Sequence, residues 1–407
     1  MYSYLRSRTR LWATAGIWGG LLLIAIDLYA AAVTYVPQYA VRNDFRLMYG
    51  AALVGLQHGY GHLYDLAAQQ SAVQGLGPAF YWSPYLNPPP LAWLATPFTV
   101  LPFPAALIAW SVLLVGAAFL AWYLVAPGSR LVRLAYLAMW LGLFPVAFGL
   151  MVGQPVVLVA ASVAAAWWLM ERNRNVAAGL VLSLTVLKPQ LALLVPACLL
   201  VAGRYRVFAA WFGASLVVGL VAVAMLGPDG LQRYREVLSL ASGWESTRRY
   251  AVAGPLGLGP QTYVVEVLVT AVALVAAWRH RHGPAAVPIA AGIVASLLFT
   301  PYVGFQDFAM LMVAGWLVVR AQPSAFQVGL LIAGYALLEL ALVVLAVPIL
   351  VAEAGLLISL LIMKPGLPTT VSPAVSGLQS RRWDSNPRPA TYEAAALPAE
   401  LRRRESS

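Results

Sequence analysis

From Leu11 almost to Lys364 the chain alternates long apolar runs with short polar breaks. Many of the runs approach the ~20 residues an α-helix needs to cross the hydrocarbon core of a bilayer. The first, about Leu11–Val33, follows Arg6, Arg8 and Arg10. It is too long for the apolar core of a signal peptide, and no small-residue cleavage site stands out, so it reads as an uncleaved helix with residues 1–10 in the cytoplasm. A polar, aromatic-rich segment follows from Thr34 to about Pro90. Apolar spans then recur near 105–126, 131–150, 155–170, 176–188, 190–202, 207–226, 262–279, 285–300, 306–320, 325–346 and 348–363. With the first helix they predict about twelve crossings.

Basic residues set the orientation, because cytoplasmic turns collect lysine and arginine. Arg130/Arg133, Arg172/Arg174, Arg204/Arg206, Arg279–His282 and Arg320 all fall on the cytoplasmic side under two conditions. The stretch Leu91–Leu101 must stay on the outer surface as an amphipathic helix. Val176–Ala202 must cross twice, as a hairpin bent at Lys188-Pro189-Gln190. The outer face then holds the loops 34–104 and 227–261, Gly153-Gln154-Pro155, the Lys188 turn and Pro301–Asp307. The inner face holds only short basic turns, so chemistry outside the membrane is expected on the outer side alone.

Composition agrees with a polytopic, all-α integral membrane protein. Of 407 residues 61% are hydrophobic and 10% charged, against roughly 25% charged in soluble domains. The +11 charge comes from the short clusters between apolar runs, which excludes a nucleic-acid footprint. Lone Cys198 rules out an internal disulfide and reads as an inert core thiol. No internal repeat is visible. The tail 364–407, with Arg381-Arg382 and Arg402-Arg403-Arg404, has no apolar period and is expected to be disordered and cytoplasmic. From about Ser376 it resembles the translation of a frame running through a transfer-RNA gene, and no function is expected of it.

Several residues can carry chemistry. Asp44, in Arg42-Asn43-Asp44-Phe45-Arg46, sits about ten residues beyond the first helix, at the water–lipid boundary. Flanking arginines would hold it ionised, as a general base requires; a solvated acid is the plainer reading. Lys188 is one of two lysines, with Lys364, and lies in apolar surroundings. There an ammonium costs at least ~2.5 kcal/mol unless it faces a cavity or partner, or snorkels to water. Arg248 and Arg249, with Arg233 and Arg235, run against the usual charge bias on the outer side; lipid headgroups or a substrate phosphate would compensate them. Asp307 begins an outer helix, where the helix dipole alone justifies an acid. Leu63-Tyr64-Asp65 precedes an aromatic segment, Phe80 to Tyr85, that fits an interfacial belt. His58, His62 and Asp65 have helical spacing, but Gly59 and Gly61 argue against a helix and against a metal site. Asp27, Glu266, Glu339 and Glu353 lie in or beside spans, with no role assigned.

The ordered set Asp44-Phe45, Leu63-Tyr64-Asp65, Tyr81 through Pro90, Gly153-Gln154, Lys188-Pro189 and Pro301 through Phe308 resembles glycosyltransferase family 87 over about residues 10–363. The resemblance implies a GT-C-like membrane glycosyltransferase in a bacterial inner membrane, with its active site extracytoplasmic. It implies an inverting transfer of a hexose, mannose first, from a polyprenyl-phosphate-linked sugar to a lipid or glycan acceptor. Asp44 matches the base of the first outer loop. Lys188 matches the Lys-Pro position, assigned to the donor phosphate with Gln154, Arg248, Arg249, Asp307, Tyr64 and Asp65 as further binding residues. No cofactor is assigned, and metal dependence is left open. Many relatives carry histidine near the Pro-Tyr…Asp motif, whereas this chain has Val303-Gly304-Phe305-Gln306, so Gln306 or Asp307 would substitute.

Two other classes compete. A transporter or flippase of a lipid-linked or polar solute would use intramembrane acids such as Glu339 and Glu353, and the missing repeat argues against it. A non-catalytic membrane subunit would tolerate substitution of Asp44 and Lys188.

Overall fold

The computed structural model describes residues 8–35, 41–244, 248–340 and 346–364. Within them every regular element is helical. The tail from residue 365 lies outside the described residues.

Helix α1 (Thr9–Ala30) runs close to the expected bounds of the first span. It crosses α6 (Arg130–Leu141) through small residues. A Cβ on Gly20 would meet the Ala138 carbonyl carbon at 2.4 Å, and one on Gly142 the Gly20 oxygen at 2.7 Å. Close backbone approach through small residues is how helices associate where lipid removes the hydrophobic driving force.

The segment between these helices is not an open loop. It folds into α2 (Phe45–His58), α3 (Leu66–Gln74) and α4 (Pro89–Ala95) before α5 (Phe103–Val125). Phe45 stacks on Trp110 of α5 at 4.9 Å, and Phe98 and Phe103 close the aromatic cluster around it. The stretch expected to lie along the membrane surface spends its apolar face on protein, with Leu91, Ala92 and Ala95 fully buried.

Beyond α6 the chain bends by 59° into α7 (Phe144–Met151). Next come α8 (Val156–Met170) and α9 (Asn175–Leu182). The Lys188 hairpin differs from two helical spans. Helix α9 gives way to 3-10 turns at Ser183–Leu187 and Pro189–Leu191, and helix resumes only as the seven-residue α10 (Val195–Val201). Ser296 anchors this turn by accepting from the Leu194 amide at 2.9 Å.

Helix α11 (Tyr205–Ser242) kinks at Gly227 (φ +64°), followed by Pro228. Its second half folds back over the first loop, where Tyr234 stacks on Tyr64 at 4.2 Å. Short α12 (Ala253–Leu256) precedes α13 (Pro260–Arg279), α14 (Ala286–Phe299), α15 (Ala309–Arg320), α16 (Ala325–Glu339) and α17 (Ala346–Ile362).

Among the described residues four helices are long and apolar enough to cross a membrane, α1, α5, α11 and α13, or five with the bent α6–α7 pair. The other apolar helices among the expected crossings are shorter, from the seven-residue α10 to the 17-residue α17 (Ala346–Ile362). Helix α14 is buried from Ala286 to Leu298 and forms an inner post rather than a lipid-facing one. The result is a polytopic membrane protein with long outer helices around short, interrupted inner ones.

Arginines of three basic turns gather at one end. Arg204, Arg320 and Arg172 all act on Glu171, whose carboxyl is pushed up by burial and drawn back down by those charges. Arg320 donates to the Val125 carbonyl at 2.6 Å, and Arg204 to the Gly283 carbonyl at 2.6 Å.

Candidate functional site

Four interruptions of the helices meet at the other end of α8 and α15, and each contributes one polar side chain. The first is the start of α2. Asn43, buried, accepts the Arg46 amide at 3.2 Å and so performs the capping that Asp44 would otherwise do. The Asp44 carboxylate makes no capping bond and is free to point elsewhere. Its backbone amide donates to the Val152 carbonyl at 2.7 Å, pinning the start of α2 to the end of α7.

The second interruption is Gly153-Gln154. Gly153 has φ +74°, and a Cβ there would meet the Phe45 Cβ at 3.2 Å. Its carbonyl accepts the Trp110 indole at 2.9 Å. A residue in left-handed conformation pressed against a neighbour has to be glycine. Gln154 then donates from Nε2 to Asp44 Oδ2 at 2.6 Å.

The third is Lys188, between two 3-10 turns and 4% exposed. Its ammonium donates to Gln154 Oε1 at 3.1 Å and forms an ion pair with Asp307. The fourth is the turn Phe305–Phe308, where Asp307 Oδ2 accepts the Gly304 amide at 3.0 Å. Asp44, Gln154, Lys188 and Asp307 are thereby joined in one hydrogen-bonded chain, drawn from positions as far apart as 44 and 307.

The chain has an open end and a closed one. The Asp44 side chain is 34% exposed, whereas that of Asp307 is 2% exposed. Arg46 is buried, lies 3.8 Å from Asp44 and donates to the Tyr81 and Asn43 carbonyls. Enclosure by protein raises the Asp44 pKa above the ordinary carboxylate range, while the Gln154 hydrogen bond and the charges of Arg46 and Lys188 pull it down. Such a carboxylate is a better proton acceptor than one in water and keeps two cations near its ionised form.

The remaining predicted site residues are not members of this hydrogen-bonded chain. Tyr64 is buried, donates to the Asn87 carbonyl at 2.8 Å and packs between Tyr85 and Tyr234. Asp65 caps α3 by accepting the Ala68 amide at 3.0 Å. Both hold the first loop together. Arg249 sits 5.7 Å from the Tyr250 ring, which packs on Phe305 and Phe308 beside Asp307. Arg249 thus adjoins the site through one aromatic ring, while Arg248 is placed only by its carbonyl, which accepts the Ala251 amide at 3.0 Å. Gln306 brackets Gly304, its amide 2.3–2.9 Å from where a Cβ of that glycine would be.

Of the arginines flanking Asp44, Arg46 turns to the carboxylate, while the Arg42 guanidinium lies 5.9 Å from the Tyr81 ring. Asn43 and Trp110 carry no catalytic signature in the sequence, yet one frees Asp44 and the other fixes Gly153. Among the described residues no group of three or more His, Cys, Asp or Glu side chains is placed to hold a metal. His62 lies 3.4 Å from Arg233, and Cys198 is fully buried.

The family model of glycosyltransferase family 87 matches residues 85–301, more than half of the chain. Gln154 and Lys188 fall inside the match; Asp44 and Asp307 flank it. No curated protein and no solved structure matches.

Proposed function

Since the chain belongs to glycosyltransferase family 87 and is a membrane glycosyltransferase, we propose that it moves a hexose, mannose first, from a polyprenyl-phosphate donor to a lipid or glycan acceptor on the extracytoplasmic face of a bacterial inner membrane. The observation that carries this reading is the chain Asp44–Gln154–Lys188–Asp307, which sets a proton acceptor and an anion partner in one site.

In this reading the Asp44 carboxylate takes the proton of an acceptor hydroxyl. The hydroxyl oxygen attacks the anomeric carbon as the bond from that carbon to the phosphate oxygen breaks. Polyprenyl phosphate leaves with the electron pair, and the anomeric centre inverts. An ammonium has three donors, and Lys188 commits two of them, to Gln154 and Asp307. The third is left for the departing phosphate, whose charge Arg249, beside Tyr250, and its chain neighbour Arg248 help to balance.

Sidedness is supported by the two ends of α8 and α15. Gln154 and Asp307 stand at one end, Glu171 with its arginines at the other. At 1.5 Å per residue the 15-residue α8 separates them by about 22 Å. Basic turns mark the cytoplasmic end, so the polar chain belongs to the opposite face.

The test is transfer from a polyprenyl-phosphate sugar in membranes carrying the wild-type or Asp44→Asn chain at equal expression. The proposal expects transfer in the first and its loss in the second. Undiminished transfer by Asp44→Asn overturns the assignment of Asp44 as base.

A further inference from the structure

Away from the polar chain, α1, α6, α15, α16 and α17 enclose a hollow of about 440 Å³. Its walls include Gly16 of α1, Gly315 of α15 and Glu353 of α17, with Trp12 of α1 and Ile332 of α16 at the rim. None of Asp44, Gln154, Lys188 or Asp307 lines it. Protein interiors are close-packed, and voids much larger than a water molecule are few. A hollow in the roughly 300–1,000 Å³ range is the size of a ligand cavity.

Two features say what kind of ligand. The opening is apolar and faces the surface these helices turn to lipid: Trp12 is 48% exposed and Ile332 63%. Space inside is kept by Gly315, where a Cβ would meet only the Leu331 Cδ2, at 3.5 Å. In the wall stands one carboxylate, Glu353, which is 3% exposed and has neither carboxylate oxygen hydrogen-bonded. A buried polar group left unpaired costs about 1–3 kcal/mol, which a ligand donor recovers. A solute arriving from water would strand its other polar groups against these apolar walls. An amphipathic lipid entering from the bilayer strands none.

We propose that the hollow between α1, α6, α15, α16 and α17 binds a membrane lipid that lays a hydrocarbon chain along the apolar walls and donates a hydrogen bond from a hydroxyl or amide to the Glu353 carboxyl. The site is independent of sugar transfer, and its test involves no sugar.

Full-length protein in phosphatidylcholine vesicles is irradiated with a diacylglycerol carrying a photoactivatable acyl chain, and the labelled peptides are mapped by mass spectrometry. Labels are expected to concentrate on α15, α16 and α17. Glu353→Leu lowers that labelling about fivefold, the worth of one hydrogen bond, and Gly315→Leu abolishes it by filling the space. The same probe with its hydroxyl acetylated labels the wild type as weakly as the free hydroxyl labels Glu353→Leu. Labels spread over α11 and α13 in proportion to their exposure overturn the proposal, as does labelling indifferent to Glu353→Leu and to acetylation. Should Gly315→Leu fail to fold, those last two arms decide.

Discussion

The molecule holds its acids in two ways. At the helix breaks Asp44 and Asp307 each have partners: an amide and an arginine for one, an ammonium and a backbone amide for the other. Within α1, α16 and α17, Asp27, Glu339 and Glu353 each leave at least one carboxylate oxygen without a hydrogen bond. A continuous helix has already used its backbone groups, and a side chain on it meets whatever the next helix presents. Where helices stop, freed backbone and short turns bring side chains from distant segments together, so ionised groups can be paired in a water-poor setting. In the proposed reading the paired acids form the reaction site, and Glu353, with both oxygens unpaired, faces the proposed lipid.

Substitutions should separate the two groups. The largest effect is expected at Asp44: Asp44→Asn lowers the initial rate of sugar transfer by about 10²–10⁴-fold, the usual worth of a general base, with unchanged expression. Next is Lys188→Met, which abandons Asp307 in a buried site and destabilises by about 3–5 kcal/mol. Thermal melting in detergent should show Lys188→Met combined with Asp307→Asn to be more stable than Lys188→Met alone. Glu353→Leu should act with the opposite sign: with no lipid present it removes an unpaired group, raising stability by about 1–3 kcal/mol. A fall in its melting temperature in lipid-free detergent would erase the contrast between the two groups.

The smallest effect concerns pH. In the proposed reaction Asp44 works ionised, so activity should rise as pH passes upward through its pKa, which burial has already raised. Gln154→Leu deletes a hydrogen bond that favours the ionised form, so the acid limb of kcat/KM should move to higher pH. A limb that stays in place shows that Gln154 does not tune Asp44.

Much of this was legible in the sequence where a polar residue interrupts an apolar run. Asp44, Gly153-Gln154, Lys188-Pro189 and Pro301–Asp307 stand out for that reason, and they supply the polar chain. Helices α1, α5 and α13 begin and end within a few residues of the spans near 11–33, 105–126 and 262–279 that hydropathy marks. What periodicity could not convey was pairing. Nothing local says that Gln154 sits between Asp44 and Lys188, or that Asn43 takes over the cap. Tyr64 and Asp65 resemble site residues because a buried phenol and a helix cap draw on the same residue types as chemistry does. The first loop concealed α2 and α3, which are short and interrupted or bounded by glycine at Gly50, Gly55, Gly59 and Gly75, whereas α4 falls where the amphipathic Leu91–Leu101 helix is expected. Helix α11 passed for a span followed by a loop because Gly227-Pro228 looks like an ending, where the structure has a hinge.

Gln154 also limits where protons can travel. A carboxamide passes on dipole and orientation but does not hand a proton from one neighbour to the next as a hydroxyl or imidazole would. In the proposed reaction the hydrogen that Asp44 removes therefore has no exit toward Lys188 and the sealed interior. It must depart through the partly open side of Asp44, the side by which the acceptor entered. Resetting the enzyme for another round is thus coupled to emptying that vestibule and letting water back in.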